Sequence, residues 1–167
     1  MADSSLRDAY IDELRDTYDA ERQILKALPK MVKKASNKQL KAAFTSHLGE
    51  TRDQVARLEK VFGMLDEKVK GKHCSGMAGI LQEGKSVMEE DFDDATMDAC
   101  LIAAAQRVEH YEMAAYGTLI AWSLCLGETK VAKVLEQTLK EENSADKKLT
   151  GLADGGINKM SMEAAAV

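Results

Sequence analysis

Four long segments of this chain repeat apolar residues at helical spacing, and the links that join them have very unequal lengths. The first segment runs from about Leu6 to Lys34. A short link, Ala35 to Asn37, leads to the second segment, which ends at about Leu65. The third runs from Asp94 or Thr96 to Leu124, and the fourth from about Glu128 to Ala153. Two short links make two antiparallel helix pairs, and one long crossover joins the pairs. The sequence therefore predicts an all-α four-helix bundle of two hairpins.

The crossover, from Asp66 to Asp94, contains one short helical candidate around Met77 to Glu90. A bundle with a single long crossover has the connectivity of ferritin-like folds. With aromatic residues at only 5% and one proline, the composition also favours helices packed on helices. We expect one ferritin-like domain over residues 1–153 and a flexible C-terminal tail over residues 154–167, because the tail is small and polar.

Charge indicates which partners to expect, and cysteine content indicates which compartment. The net charge is −5 with acids and bases interleaved, so no basic surface recommends nucleic acid or an anionic membrane. No segment is apolar enough for a signal peptide or a transmembrane helix. The three cysteines are odd in number and far apart, which favours a reducing compartment. We predict a cytoplasmic protein with no nucleic-acid partner and no membrane association.

Acidic side chains interrupt the apolar face of every long segment. In the third segment Glu112 lies within about 20° of the centre of the stripe, and Glu109 within about 50°. Glu21 occupies the centre of the first stripe, and Glu142 is nearly central in the fourth. The candidate site residues are Glu21, Glu50, Gln54, Glu109, Glu112, Glu142 and Asp146.

A group of ionised carboxylates inside a bundle needs compensation, because Asp and Glu are almost never buried without a partner. None of the four stripes has a Lys or Arg at its centre. Protonation would neutralise one or two acids but would leave a cluster with few donors. A multivalent cation is the economical solution, and carboxylate ligands suit iron or manganese better than structural zinc. His47 also points inward; we interpret it as a hydrogen-bonded core residue, with ligation left open.

Four stretches resemble the YciF/YciE-type ferritin-like proteins, which are associated with stress: YDAERQILKALPKM, HLGETRDQVARLEKVF, AAAQRVEHYEMAAYGTLIAW and LEQTLKEENSADKKLTGLA. The resemblance covers roughly residues 5–153, and AQRVEHYE is its most specific part. It implies a ferritin-like bundle with a dinuclear metal site, thus two iron or manganese ions per chain, with zinc as a possible substitute. A more distant likeness to rubrerythrin lies in the inward acids.

The resemblance implies a role for five of the candidate acids. Glu21 and Glu109 would be terminal ligands, and Glu112 an additional ligand. Glu50 and Glu142 would bridge the two ions.

The chain departs from the usual di-iron pattern, which has Glu-x-x-His on two helices. The residues three after Glu50 and Glu142 are Asp53 and Ala145, and those four after are Gln54 and Asp146. Gln54 and Asp146 face inward better and are the alternative ligands, with coordination by Gln54 left open.

Two functions remain open at this point. The first is a dimetal protein that oxidises Fe(II) or removes peroxide in a stress response. The second is a helical interaction or structural module whose buried acids are protonated or hold a purely structural metal. In either case we expect a homodimer.

Overall fold

The computed structural model describes residues 5–164, and the regular structure in that range is helical. The helices are α1 (Leu6–Lys34), α2 (Lys38–Met64), α3 (Ser75–Glu89), α4 (Asp94–Cys125), α5 (Thr129–Leu152) and α6 (Asn158–Ala164), with a π-helical turn (Ala153–Ile157) between the last two. Helices α1 and α2 pair, α4 and α5 pair, and the two pairs pack side by side. The predicted all-α bundle of two hairpins is confirmed.

Helix ends follow local side-chain chemistry. Ser5 and Asp8 form a reciprocal capping box at the start of α1, and Asn37 accepts from the backbone of Gln39 and Leu40 at the start of α2. Helix α4 begins at Asp94, but its cap is the preceding Asp93, which accepts from the backbone of Thr96 at 3.0 Å. The sequence placed the start of this helix at Asp94 or Thr96, and the first of these is correct.

The crossover contains α3, as predicted, and this helix packs on α4 and α1. Its entry is tied to α1 because the backbone of Cys74 donates to Asp19 at 2.9 Å. Gly76 faces the ring of Tyr111 so closely that a β-carbon there would lie 2.7 Å from a ring carbon. A larger residue at this position would displace the Tyr111 ring, so glycine lets α3 approach α4 closely.

Asp98 of α4 holds the turn between α1 and α2. Its carboxylate accepts from the backbone N–H groups of Ser36 at 2.8 Å and Asn37 at 2.7 Å, and from the Ser36 hydroxyl at 2.5 Å. This acid is buried, and both its oxygens have donors. Asp98 therefore links the two hairpins by hydrogen bonds alone.

The core is divided along the bundle axis into two apolar clusters. One surrounds Ile24, Phe44 and Leu149, and the other surrounds Leu14 and Tyr116. On each of the four long helices, the predicted acids lie between the residues of one cluster and those of the other. The fold thus stacks apolar, polar and apolar layers, and the polar layer is the candidate site.

The C-terminal segment differs from the expectation of a flexible tail from residue 154. After the π-helical turn, in which Gly156 has φ 143°, helix α6 packs against α4. Ile157 is buried, and the hydroxyls of Ser161 and Thr96 are 3.0 Å apart. The apolar Ile157 anchors the segment, so residues 154–164 continue the bundle. Residues 1–4 and 165–167, which the domain prediction also includes, lie outside the described residues.

Between residues 5 and 164, none of the helices combines the length and the apolar character that crossing a bilayer requires.

Candidate metal centre

His47 of α2 lies at the middle of the polar layer. Its Nδ1 donates to the Glu50 carboxylate at 3.2 Å, one helical turn away. Its Nε2 faces inward, 3.3 Å from Glu109 and 3.8 Å from Glu142. The side chain is buried, and Nε2 has no hydrogen-bond partner. One ring nitrogen is thus bonded to Glu50, and the other points toward Glu109 and Glu142.

Glu109 and Glu112 of α4 both point into the bundle, as their places on the stripe predicted. Both are buried, and they lie one helical turn apart. Neither oxygen of Glu112 has a hydrogen-bond partner, and one oxygen of Glu109 also lacks one. Together they supply three unpartnered carboxylate oxygens to the layer.

Glu142 of α5 completes the group. It is fully buried; Oε1 accepts from the Gln54 amide of α2, and Oε2 is unpartnered. One possible ligand atom from each of four residues lies within 4.8 Å of the others: His47, Glu109, Glu112 and Glu142. These four residues are therefore candidate ligands of a cation.

Glu21 of α1 lies at the edge of this group. Tyr116 donates its hydroxyl to Glu21 Oε1 at 2.5 Å, while Oε2 has no partner. Its carboxyl also interacts with those of Glu112 and Glu142. The fully buried Glu21 therefore joins the polar layer without belonging to the tightest set.

Gln54 is fully buried, and its amide nitrogen donates to both Glu142 and Glu141, the latter at 3.1 Å. Glu141 in turn accepts hydrogen bonds from two guanidinium nitrogens of Arg57, at 2.9 and 3.0 Å. The sequence suggested Gln54 as a ligand; the structure makes it a donor that positions Glu142, although its own amide oxygen stays unpartnered.

Two further predicted site residues, Glu50 and Asp146, are partly exposed and lie outside the group of four. The Glu50 side chain is 43% exposed and contacts the outer nitrogen of His47. Asp146 is 20% exposed and accepts from Gln106 at 3.0 Å and from His110 at 3.1 Å. Glu50 was expected to bridge two ions, and His47 to be a hydrogen-bonded core residue with ligation left open. The structure places His47 in the group of four and Glu50 beside its outer nitrogen. The signal for it was the i, i+3 spacing of His47 and Glu50, which lets the carboxylate orient the ring.

The electrostatics of the layer favour neutral acids when no cation compensates them. Burial raises the pKa of Glu21 to about 8, with a further contribution from Glu142. Burial and the neighbouring carboxyls also raise the pKa values of Glu109 and Glu112 well above the usual range. The pKa of Glu142 is likewise raised by burial. This pattern is expected where carboxyls share a dry site.

The pKa of His47 is also raised, but for a different reason. Burial alone would lower its pKa, but the hydrogen bond to Glu50 and the nearby Glu142 raise it overall. The Glu50 carboxyl has a lowered pKa because of its hydrogen bond with His47. The raised pKa of His47 and the lowered pKa of Glu50 both reflect the hydrogen bond between these two side chains.

Comparison with known proteins places this chain in a family. Residues 5–162 match a family described as a domain of unknown function, DUF892. The protein YciF of Escherichia coli K12 is 44% identical over 156 residues, which cover 93% of this chain and 94% of YciF.

Solved structures agree with that match. The crystal structure of the E. coli stress protein YciF superposes with a TM-score of 0.90 at 43% identity, over 93% of this chain and 99% of that one. YcfI from Rhodopseudomonas palustris, described as a putative structural protein, gives 0.87 at 44% identity, over 88% and 94%. On the family match and these similarities, the chain belongs to the DUF892 family, together with proteins of the YciF type.

Proposed function

We propose that this protein binds metal in the polar layer, as a pair of iron or manganese ions held by His47 and the acids Glu21, Glu109, Glu112 and Glu142. One observation carries the proposal. Seven buried polar atoms in this layer lack a hydrogen-bond partner: Glu21 Oε2, His47 Nε2, Gln54 Oε1, Glu109 Oε2, both oxygens of Glu112 and Glu142 Oε2. Buried polar atoms are nearly always partnered, so a cluster of orphans indicates a missing ligand.

Asp98 provides the internal contrast. It is also a buried acid, but both its oxygens accept hydrogen bonds from the α1–α2 turn. The chain is thus able to satisfy a buried carboxylate where it needs only a structural contact. Within residues 5–164, the buried carboxylate oxygens without a partner belong to Glu21, Glu109, Glu112 and Glu142, all in the polar layer.

The donor set suits the proposed ions. Carboxylate oxygens with one imidazole nitrogen are typical ligands of iron and manganese, with zinc as a substitute, whereas structural zinc sites are rich in cysteine. Four carboxylates offer up to eight oxygens, more than a single small cation uses. Tyr116 and Gln54 hold two of these oxygens, and the remaining six with His47 Nε2 still exceed the six ligand atoms of one octahedral ion, which supports two ions.

The surrounding residues would prepare the ligands. Glu50 holds the proton of His47 on Nδ1, which leaves the Nε2 lone pair free to coordinate. Tyr116 and Gln54 hold one oxygen each of Glu21 and Glu142, so that the second oxygen of each acid faces the layer. Bound iron or manganese would supply the redox chemistry that these side chains lack, either Fe(II) oxidation or peroxide reduction. A stress role fits this chemistry, and YciF is called a stress protein.

A structural role is the second candidate, and two observations favour it. Acids with raised pKa values can remain neutral in a metal-free bundle, and a relative is described as a putative structural protein. The layer would then specify how the two hairpins pack. Metal-dependent melting without turnover would favour this role over the redox one.

The other expectations from the sequence stay proposals. We propose a homodimer in the cytoplasm, without a nucleic-acid or membrane partner. Size measurement in solution tests the first of these directly.

The decisive experiment measures metal content. Untagged full-length protein is analysed by mass spectrometry beside Glu109→Gln/Glu142→Gln and a matched control, Asp146→Asn, which changes an acid outside the group. We expect about two Fe or Mn per chain in the wild type and in the control, and a loss in the double variant. Saturating metal, at about 100 times Kd, should stabilise the wild type by about 2.7 kcal/mol.

The opposite result has a clear meaning. Wild-type protein that stays folded yet binds neither Fe(II) nor Mn(II) when they are offered would remove the metal proposal. The neutral, structural layer would then be the remaining account of these acids.

A further inference from the structure

A cavity of about 90 Å³ enters the bundle beside the polar layer, and all four long helices line it. Large apolar side chains form much of the wall, among them Ile24, Phe44 and Leu149. Four alanines also line it: Ala27, Ala43, Ala105 and Ala145. Each long helix contributes one of these alanines. The cavity therefore lies where every long helix presents a small side chain.

The cavity opens to solvent between α2 and α5, because its exposed wall residues, Ser46, Ser144 and Lys148, belong to these two helices. Farther in, His47 and Glu109 also line the cavity. However, His47 Nε2 and Glu109 Oε2 are covered by protein and do not face this space. A molecule in the inner part of the cavity therefore meets mainly carbon atoms.

A second apolar void, of about 20 Å³, continues the cavity toward α3. The two spaces share four wall residues: Ala27, Met31, Leu81 and Val108. The unbranched, flexible side chain of Met31 is part of the wall between them, so an adaptable group divides the two spaces. The apolar space therefore runs from the opening between α2 and α5 across the bundle to α3.

The volume and the lining select the shape of a ligand. Apolar cavities stay dry and bind apolar molecules, and one of about 150 Å³ lined by Leu, Ile and Phe binds benzene. The cavity here is much smaller, so a six-membered ring does not fit. A linear chain of about three or four carbon atoms is narrow enough, and it places methylene groups against the apolar wall along its whole length.

We propose that this cavity is a binding site for the short linear aliphatic chain of a small molecule. The chain enters between α2 and α5 with its apolar end first and lies along Ile24, Phe44 and Leu149. A polar end, where the molecule has one, stays at the opening in contact with water.

This inference goes beyond the proposed metal binding and does not rest on it, because the wall that holds the chain is apolar. The test uses the full-length protein as purified, and the metal content is measured on the same sample. Failure to bind metal and failure to bind the chain are therefore separate results.

The probe is N-butylacetamide, an uncharged, water-soluble molecule with a linear chain, and binding is followed by the NMR signals of methyl groups. We expect saturable shifts at Ile24 and Leu149, which line the cavity. Leu14 and Leu135 belong to the other apolar cluster of the core, and their methyl signals should not move.

A series of probes with the same polar end tests the shape of the site. From N-ethyl- to N-propyl- to N-butylacetamide, each added methylene should raise the affinity about fourfold, because it leaves water for an apolar wall. N-tert-butylacetamide has the same atoms as the N-butyl compound but a branched group. It should bind about tenfold more weakly or worse, because a narrow cavity is overpacked by the branch.

Cavity-filling variants locate the site. Ala145→Leu should weaken the binding of N-butylacetamide by about tenfold or more, because the larger side chain occupies the space of the ligand. Ala42→Leu is the matched control, since Ala42 is exposed on α2 and does not line the cavity, and it should leave the affinity unchanged. If Ala145→Leu does not fold, Ala27→Leu fills the cavity from α1 and should have the same effect.

Several outcomes would overturn the proposal. Methyl shifts that do not saturate, or that are equally large at Leu14 and Leu135, would mean that no specific site exists. An affinity that does not change with chain length would show that the apolar wall is not used. Equal or tighter binding of the tert-butyl compound would refute a site for linear chains, and full affinity in both folded filling variants would place the ligand elsewhere.

Discussion

Glu50 accepts a hydrogen bond from Nδ1 of His47 at 3.2 Å, and this contact turns the other ring nitrogen of His47 toward the buried acids. The carboxylate lies half-exposed at the edge of the bundle, while the imidazole lies inside it. The pair therefore connects the surface of α2 with the polar layer. An exposed residue thus sets the orientation of a buried one.

Removing that contact should weaken metal binding. In Glu50→Ala the ring of His47 loses its fixed orientation, and we expect the affinity for Mn(II) to fall by about 10- to 100-fold. Competition titration with a chelator of known affinity measures it. Asp146→Ala is the matched control, because it also removes a partly exposed acid that pairs with a histidine. Equal affinities for wild type and Glu50→Ala would contradict the orienting role.

The stability of metal-free protein should depend on pH through Glu21. Its pKa is about 8 in the folded protein against an ordinary value of 4.5, so between these values the folded state binds more protons than the unfolded chain. The contribution of Glu21 to stability is therefore full below about pH 4.5 and falls until about pH 8. Glu21→Gln removes this dependence.

Urea unfolding of chelator-treated protein from about pH 5 to about pH 8 tests this sign. The stability of Glu21→Gln relative to wild type should rise with pH, by an amount on the order of a few kcal/mol across the range. Glu136→Gln changes an exposed acid of α5 and should keep a constant difference from wild type. A relative stability of Glu21→Gln that is flat or falls with pH would refute the assignment.

The hydroxyl of Tyr116 should matter more than that of a comparable tyrosine. Tyr116→Phe leaves a fully buried oxygen of Glu21 without its donor, which costs about 1–3 kcal/mol. Tyr18 makes a similar bond to Glu59 at 2.9 Å in a partly buried place, so Tyr18→Phe should cost under about 1 kcal/mol. Urea unfolding at constant pH compares the two. A smaller effect at position 116 would argue that Glu21 finds another partner.

Asp98 should affect folding but not metal content. Asp98→Ala removes three hydrogen bonds to the turn between α1 and α2, two of them from backbone N–H groups, and we expect a loss of about 2–5 kcal/mol. Unfolding curves and metal analysis of the same preparation check both parts. A loss of metal from folded Asp98→Ala would show that the turn and the polar layer are coupled.

Local sequence was a good guide to the helices and to four of the acids. The period of 3.6 residues makes the direction of a side chain calculable once the apolar stripe is known. Glu21, Glu109, Glu112 and Glu142 occupy central or near-central positions, and all four are buried. The same argument predicted both hairpins and the short helix in the crossover.

Flank positions were a poorer guide. Glu50 and Asp146 lie where a small rotation of the helix decides between the interior and the surface, and contacts with other side chains settle the matter. Asp146 turns to His110 and Gln106 of α4. Neither contact follows from the pattern of one helix alone.

The amphipathic period, the link lengths and the acids on the stripes are properties of the chain itself. They determine the four long helices, their pairing and which face of each is inside. Three features arise only when the helices pack: the convergence of His47, Glu109, Glu112 and Glu142, the place of Glu50 behind His47, and the anchoring of Ile157. Periodicity sets the direction of each side chain about its own helix axis. The distances between side chains of different helices depend on the rotation and sliding of whole helices, which tertiary contacts alone determine.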